Sequence, residues 1–275
     1  LNVILDPIFI FGLNMGIEGA AVATVISMFV SMLFVMSHFF NTKHQVHFRV
    51  GCFRPKARII RNIVSIGMAP FLMNLAASVV NIIMNNQLVR EGGDLAIGAF
   101  GIINSFGMLI VMCVLGLCQG MQPIVGFNYG AGKHKRVKDV LLLTIRIATL
   151  IVTVGFLASE LFPRWLVRAF TDDPDLTAMA VHGMRLGYCL LFLDGFQIVV
   201  SVFLQSISKA QKAVFMGLSR QVIFLIPALY FFSRWFGLTG VWLSIPAADL
   251  LAAVVAILFL RSERRVFYPS SGRRV

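Results

Sequence analysis

The chain alternates long apolar runs with short breaks that carry its charge. Seven runs, 17–40, 63–87, 97–122, 137–162, 177–205, 213–233 and 239–260, are each long enough to cross a bilayer. A hydrocarbon core is about 30 Å thick and a helix rises about 1.5 Å per residue, so a span takes roughly 20 apolar residues. Runs 63–87 and 97–122 contain no Asp, Glu, Lys or Arg. Barrel strands alternate in polarity over about ten residues, whereas these runs are continuously apolar. The pattern predicts an all-α integral membrane protein with seven transmembrane helices.

Composition agrees. Hydrophobic residues are 58% and charged residues 13% of the 275 residues, against about 25% charged in soluble domains. A chain this apolar cannot cover itself with polar groups, and disorder is excluded because it needs the opposite balance. The net charge of +12 raises nucleic acid as a partner, but the loops account for it. Lys and Arg number six in 41–62, three in 123–136, two in 206–212 and five in 261–275. The alternate loops 88–96, 163–176 and 234–238 hold one, two and one. Basic loops stay cytoplasmic, which predicts a multi-pass protein of the cell (inner) membrane with a cytoplasmic C-terminus and no nucleic-acid partner. Cys52, Cys113, Cys118 and Cys189 form no CxxC pair, so neither zinc nor a disulfide framework is indicated. No HExxH, GxSxG or P-loop occurs, and no enzymatic activity is expected.

An external N-terminus with seven spans also describes a seven-helix receptor. Residues 1–12 argue otherwise: Asn2 to Phe11 is apolar but too short to span, as if a preceding helix had been cut. Asp6-Pro7 and the glycines at 12, 16 and 19 read as a turn into the next helix. A weak internal echo supports a larger protein. Gly16-Ile17-Glu18-Gly19 opens the first complete run and Gly237-Leu238-Thr239-Gly240 the last, as if both began equivalent helices of two six-helix repeats.

Three stretches carry a family resemblance. The first is Leu1-Asn2-Val3-Ile4-Leu5-Asp6-Pro7 to Gly12, then Gly16-Ile17-Glu18-Gly19-Ala20-Ala21. The second is Gln119-Gly120-Met121-Gln122-Pro123-Ile124-Val125-Gly126-Phe127-Asn128-Tyr129-Gly130-Ala131-Gly132. The third runs from Ser219-Arg220-Gln221 through Pro227 to Gly237-Leu238-Thr239-Gly240-Val241-Trp242 and Pro246-Ala247-Ala248-Asp249. In this order they resemble the multidrug and toxic compound extrusion (MATE) family of the MOP superfamily, the wider group that includes lipid-linked oligosaccharide flippases. The resemblance implies two six-helix lobes around a central cavity, exporting organic cations in exchange for sodium ions or protons. On that reading 1–16 is the end of a truncated helix with an external turn, and 17–40 is the last helix of the N-terminal lobe. Residues 41–62 form the cytoplasmic connector, 63–260 the six-helix C-terminal lobe and 261–275 a basic tail. The complete protein would be a monomer in membrane lipid, with small organic cations as its partners and no cofactor beyond the coupling ion.

Polar groups inside the runs are the candidate site, because an ionisable residue in the bilayer costs at least roughly 2.5 kcal/mol and usually faces a cavity or a partner. Asp194 lies deep in 177–205, and Gln197, Ser201 and Gln205 follow on the same helical face. It either binds a cation or proton or fixes helix packing. Asn74, Ser78, Asn81 and Asn85 form a second polar stripe in 63–87, suited equally to lining a cavity and to bonding between helices. Asp249 follows Pro246 by three residues; it either shares an ion with the freed carbonyl or pairs with Arg220 or Arg146. Phe106, Met108, Met112 and Met121 are candidates for an adaptable drug surface. The competing reading, a flippase for lipid-linked oligosaccharides or another lipid-linked substrate, calls for a strongly basic cavity to hold pyrophosphate. The deep spans offer mainly carboxylates and amides.

Overall fold

In lipid, backbone N–H and C=O groups have no water to bond to, and a helix satisfies them within one segment. The computed structural model describes residues 1–40 and 56–263, and no strand occurs among them. The connector read at 41–62 therefore lies outside the described residues over 41–55, and the tail read at 261–275 does so over 264–275. Two compact units are formed, Leu1–Ser65 and Ile66–Val275.

The first unit contains α1 (Asn2–Pro7), a π-helical turn (Ile8–Gly12) and α2 (Gly16–Phe40). Asn2 Nδ2 donates to Asp6 Oδ1 at 3.0 Å and to Thr24 Oγ1 at 3.3 Å, which ties the short segment to α2. The reversal between them uses Gly16 at φ +55°. A Cβ at Gly19 would sit 2.8 Å from the Phe9 carbonyl oxygen, so the approach requires glycine. The second copy of the Gly-x-x-Gly echo behaves alike within its own unit: Gly237 has φ +57°, and a Cβ at Gly240 would collide with the Phe232 carbonyl. The echo thus marks one structural device used twice.

α3 (Ala57–Gly130) begins in the first unit and continues into the second, followed by α4 (His134–Leu161), α5 (Pro163–Arg168), α6 (Pro174–Gly187), α7 (Phe192–Ser206), α8 (Ala210–Leu218), a π-helical turn (Ser219–Leu225) and α9 (Ile226–Ser262). Four helices among the described residues are long and apolar enough to cross a membrane, and the bent α6–α7 pair makes a fifth. Two of the four cannot be single straight spans. Phe71–Gly130 has 60 residues, roughly 90 Å if straight, three times the thickness of the hydrocarbon core. Its backbone leaves the helix at Gly93 (φ 67°, ψ −162°). The 53 residues Ala210–Ser262 leave it at Gly237 (φ 57°, ψ −137°).

These breaks sort the loops by face. The reversals at Gly93 and Gly237 are neighbours, since a Cβ on Gly92 would lie 3.0 Å from the Leu238 side chain. On the basic loops, a Cβ on Gly126 would lie 3.7 Å from the Ser206 carbonyl, and Lys212 Nζ bonds Ser262 Oγ at 3.0 Å and Glu263 Oε1 at 2.6 Å. The glycine-rich run ending α3 closes as a tight turn: Gly132 takes φ +68° and Lys133 N–H donates to the Asn128 carbonyl at 2.8 Å.

Small residues set the helix spacing in the core. With no water to expel between helices in lipid, close backbone approach and dispersion hold them together. Gly195 of α7 faces Ala148 of α4, where a Cβ would lie 3.0 Å from the Ala148 carbonyl oxygen. Gly183 of α6 receives the indole of the fully buried Trp242 from α9. Because the obstacle at Gly195 includes backbone that cannot rotate away, Gly195→Val must push α4 and α7 apart. Overpacking of this kind costs about 1–3 kcal/mol. A thermal unfolding scan of the purified complete protein should show a midpoint lowered by several degrees; an unchanged midpoint would contradict the packing described.

A cavity with two carboxylates on one guanidinium

The site depends on places where helix regularity fails. The run 177–205, expected as one helix, is two: α6 and α7 meet at 59° across Tyr188–Leu191. The bend places Asp194 in the first turn of α7, at the end of the helix dipole that favours a negative group; the Leu193 and Asp194 N–H groups donate to the Leu190 and Leu191 carbonyls. The expected single face through Asp194, Gln197, Ser201 and Gln205 survives because all four lie within α7.

Arg220 sits in the π-helical turn Ser219–Leu225, which ends two residues before Pro227. A proline has no N–H to offer and its ring crowds the carbonyl four residues back, here Ile223 inside that turn. The widened turn absorbs this conflict, and such turns frequently mark functional positions. Asp249 comes from the second half of α9, returned towards α8 by the reversal at Gly237.

The three side chains meet. Arg220 Nε donates to Asp249 Oδ1 at 2.7 Å, and an η nitrogen forms an ion pair with the same oxygen at 2.6 Å. An η nitrogen also lies 3.3 Å from both oxygens of Asp194. The Asp249 side chain is 3% exposed and that of Asp194 12%, while the Arg220 side chain keeps 34%. Of the two partners expected for Asp249, Arg220 is the one used; Arg146 is exposed. With both carboxylates ionised, two negative charges share one positive charge, and the trio is left with one net negative charge.

The trio lines a cavity of about 340 Å³ whose polar wall also includes Asn81, Asn104, Tyr188 and Gln221. Met84, Phe100, Ile103, Met108 and Leu225 supply apolar surface. Tyr188, in the α6–α7 bend, donates its hydroxyl to the Ile103 carbonyl, and Gly107 leaves room for it. A side chain at 107 would strike that hydroxyl.

The other expected site residues divide. Gln197 does not line this cavity; its Nε2 donates to the Asp249 backbone carbonyl at 2.9 Å and so holds the carboxylate-bearing turn in place. Of the amide stripe on α3, Asn81 reaches the cavity, whereas Asn74 and Asn85 are exposed and outside it. Among the four adaptable-surface candidates Met108 lines it. Phe106 packs against the Tyr188 ring at 6.3 Å, Met112 is exposed and Met121 is buried in the core. Asn104, Tyr188 and Gln221 were not expected. An amide within the charge-free run 97–122 marked Asn104, but nothing in the sequence distinguishes Tyr188 from a lipid-facing tyrosine.

Removing Arg220 would leave two carboxylates facing each other out of water, and breaking a buried ion pair from one side costs about 3–5 kcal/mol. The partial exposure of the Arg220 side chain brings Arg220→Gln to the lower end of that range. Arg220→Gln should therefore lower the thermal midpoint, and Arg220→Gln with Asp249→Asn should recover at least half the loss. A double variant no more stable than the single one would contradict the shared pairing.

The sequence profile of the MatE family matches residues 67–231. The multidrug export protein MepA of Staphylococcus aureus is 31% identical over 260 residues, which is 94% of this chain and 57% of that protein. The chain thus spans little more than half the length of the curated relatives it matches. Among solved structures, that of the MATE multidrug transporter DinF-BH is 37% identical and covers 98% of this chain and 60% of its own, with a TM-score of 0.83. A multidrug resistance MATE family transporter in its outward-facing conformation gives a TM-score of 0.84 at 26% identity, over 98% of this chain and 61% of that one. A MOP superfamily transporter from Pyrococcus furiosus, whose reverse polarity of binding pocket suggests a different function, gives 0.84 at 26% identity, over 97% and 60%. All-helical, apolar on its outer surface and matched by the family profile over more than half its length, the chain belongs to the MATE family of multi-pass membrane proteins.

Proposed function

We propose that this chain is the C-terminal part of a twelve-helix, two-lobe multidrug efflux transporter that exports amphipathic organic cations by sodium- or proton-coupled antiport. The observation that carries the reading is the pair Asp194 and Asp249 sharing Arg220 at the wall of a partly apolar cavity. One net negative charge in a low-dielectric site can be balanced by one proton, one sodium ion or one organic cation. Competition among these for the same charge is the thermodynamic requirement of antiport. Apolar and aromatic surface beside the charge suits ligands that are both greasy and cationic, and Met108 repacks readily around varied shapes. The multidrug export function named for relatives at this similarity supports the same reading.

In this account residues 63–260 form six spans, because the reversals at Gly93 and Gly237 each divide one long helical run in two and α6–α7 is one bent span. The first unit supplies the last helix of the other lobe, and the lobes rock about the cavity in alternating access. The protein works as a monomer in the cell membrane, with the basic loops cytoplasmic.

The flippase reading is disfavoured by the same cavity. A pyrophosphate-linked substrate needs an excess of basic groups, whereas here one arginine faces two carboxylates. Export of a fluorescent cationic dye from cells expressing the complete transporter tests the proposal. Asp194→Asn, inserted in the membrane at the parental level, should lose at least tenfold of the efflux rate. Parental efflux in this variant would reduce Asp194 to a packing role.

A further inference from the structure

The corner joining α4, α5 and α6 has no part in the cavity and carries its own chemistry. α4 ends at Leu161 and the chain passes at once into the six-residue α5. Leu161, Phe162, Trp165 and Phe170 are all exposed there, Trp165 by 77%. Full burial of such a side chain is worth about 1.5–3 kcal/mol, so four left open need a covering. At the end of a membrane span that covering is the interface, where Trp rings sit among lipid headgroups. Between these rings Arg164 and Arg168 stand four residues apart, one above the other on α5. Together with Asp172, Pro174 and Thr177 they line a concavity of about 610 Å³. Among the described residues, neither arginine nor Asp172 has an ion-pair partner.

We propose that this corner binds a phospholipid with a phosphoethanolamine headgroup. Arg164 and Arg168 take the phosphate, for which the planar guanidinium fork is suited. Asp172 takes the primary ammonium, and Phe162 and Trp165 lie along the first carbons of the chains. The sign pattern selects this class. A phosphoglycerol lipid satisfies the arginines but offers Asp172 only neutral hydroxyls in place of a cation. A phosphocholine lipid has no N–H to donate to Asp172.

Native mass spectrometry of the complete transporter, purified in detergent and offered an equal mixture of phosphatidylethanolamine, phosphatidylcholine and phosphatidylglycerol, tests this. Phosphatidylethanolamine adducts should exceed each of the others at least threefold. R164Q/R168Q should lower them at least fivefold, and R164K/R168K, which keeps both charges but loses the fork, should fall between that variant and the parent. D172N should bring phosphatidylethanolamine down to the phosphatidylcholine level without changing the latter. Arg234→Gln, at an arginine outside this corner, should change nothing. Phosphatidylglycerol as the preferred lipid, undiminished adducts in R164Q/R168Q, an unchanged preference in D172N or an equal loss in Arg234→Gln would each overturn the proposal.

Discussion

A carboxylate in a low-dielectric site needs its charge balanced, and the C-terminal unit is organised around that demand. Arg220 answers it for two carboxylates from two other elements, Asp194 at the start of α7 and Asp249 in α9. No regular helical path brings these three together. The α6–α7 bend turns Asp194 inward, the π-helical turn before Pro227 rotates Arg220 towards it, and the reversal at Gly237 returns α9 with Asp249. Each irregularity sacrifices helical hydrogen bonds or backbone freedom, and the shared ion pair is the interaction that uses all three.

The surrounding packing explains why the trio stays together. Gly195 follows Asp194 directly and lets α7 press onto the Ala148 backbone of α4. Gln197, one turn further on, bonds the Asp249 backbone. One turn of α7 therefore holds a carboxylate, a close helix contact and a brace on the second carboxylate. The cavity is walled by this rigid turn on one side and by adaptable Met and Phe side chains on the other.

Much of this was legible in the sequence, for identifiable reasons. Long apolar runs broken by basic loops gave the helices and the grouping of their ends, because the cost of charge in lipid acts on each residue separately. Asp194 and Asp249 stood out for the same reason, and Arg220 followed as one of two candidate counter-ions. The bend at Tyr188–Leu191 was hidden, since only Gly187 flags it and glycine is common in membrane helices. The amide stripe of α3 divides: periodicity identifies a face but not what covers it, and of the three asparagines Asn81 reaches the cavity. Gln197 lies on the expected helical face but braces the Asp249 backbone instead of lining the cavity; an amide that braces backbone and one that meets a ligand look the same in a sequence.

If the proposed function holds, the cavity's unbalanced charge, rather than its apolar surface alone, selects what binds there. Equilibrium binding of three fluorescent compounds with one ring system and charges of +1, 0 and −1 to the purified complete transporter measures this. The cation should bind at least tenfold tighter than the neutral compound, and the anion weakest. Asp194→Asn should narrow the gap between cation and neutral compound at least fivefold. A neutral compound bound as tightly as the cation, or a gap untouched by the substitution, would contradict it.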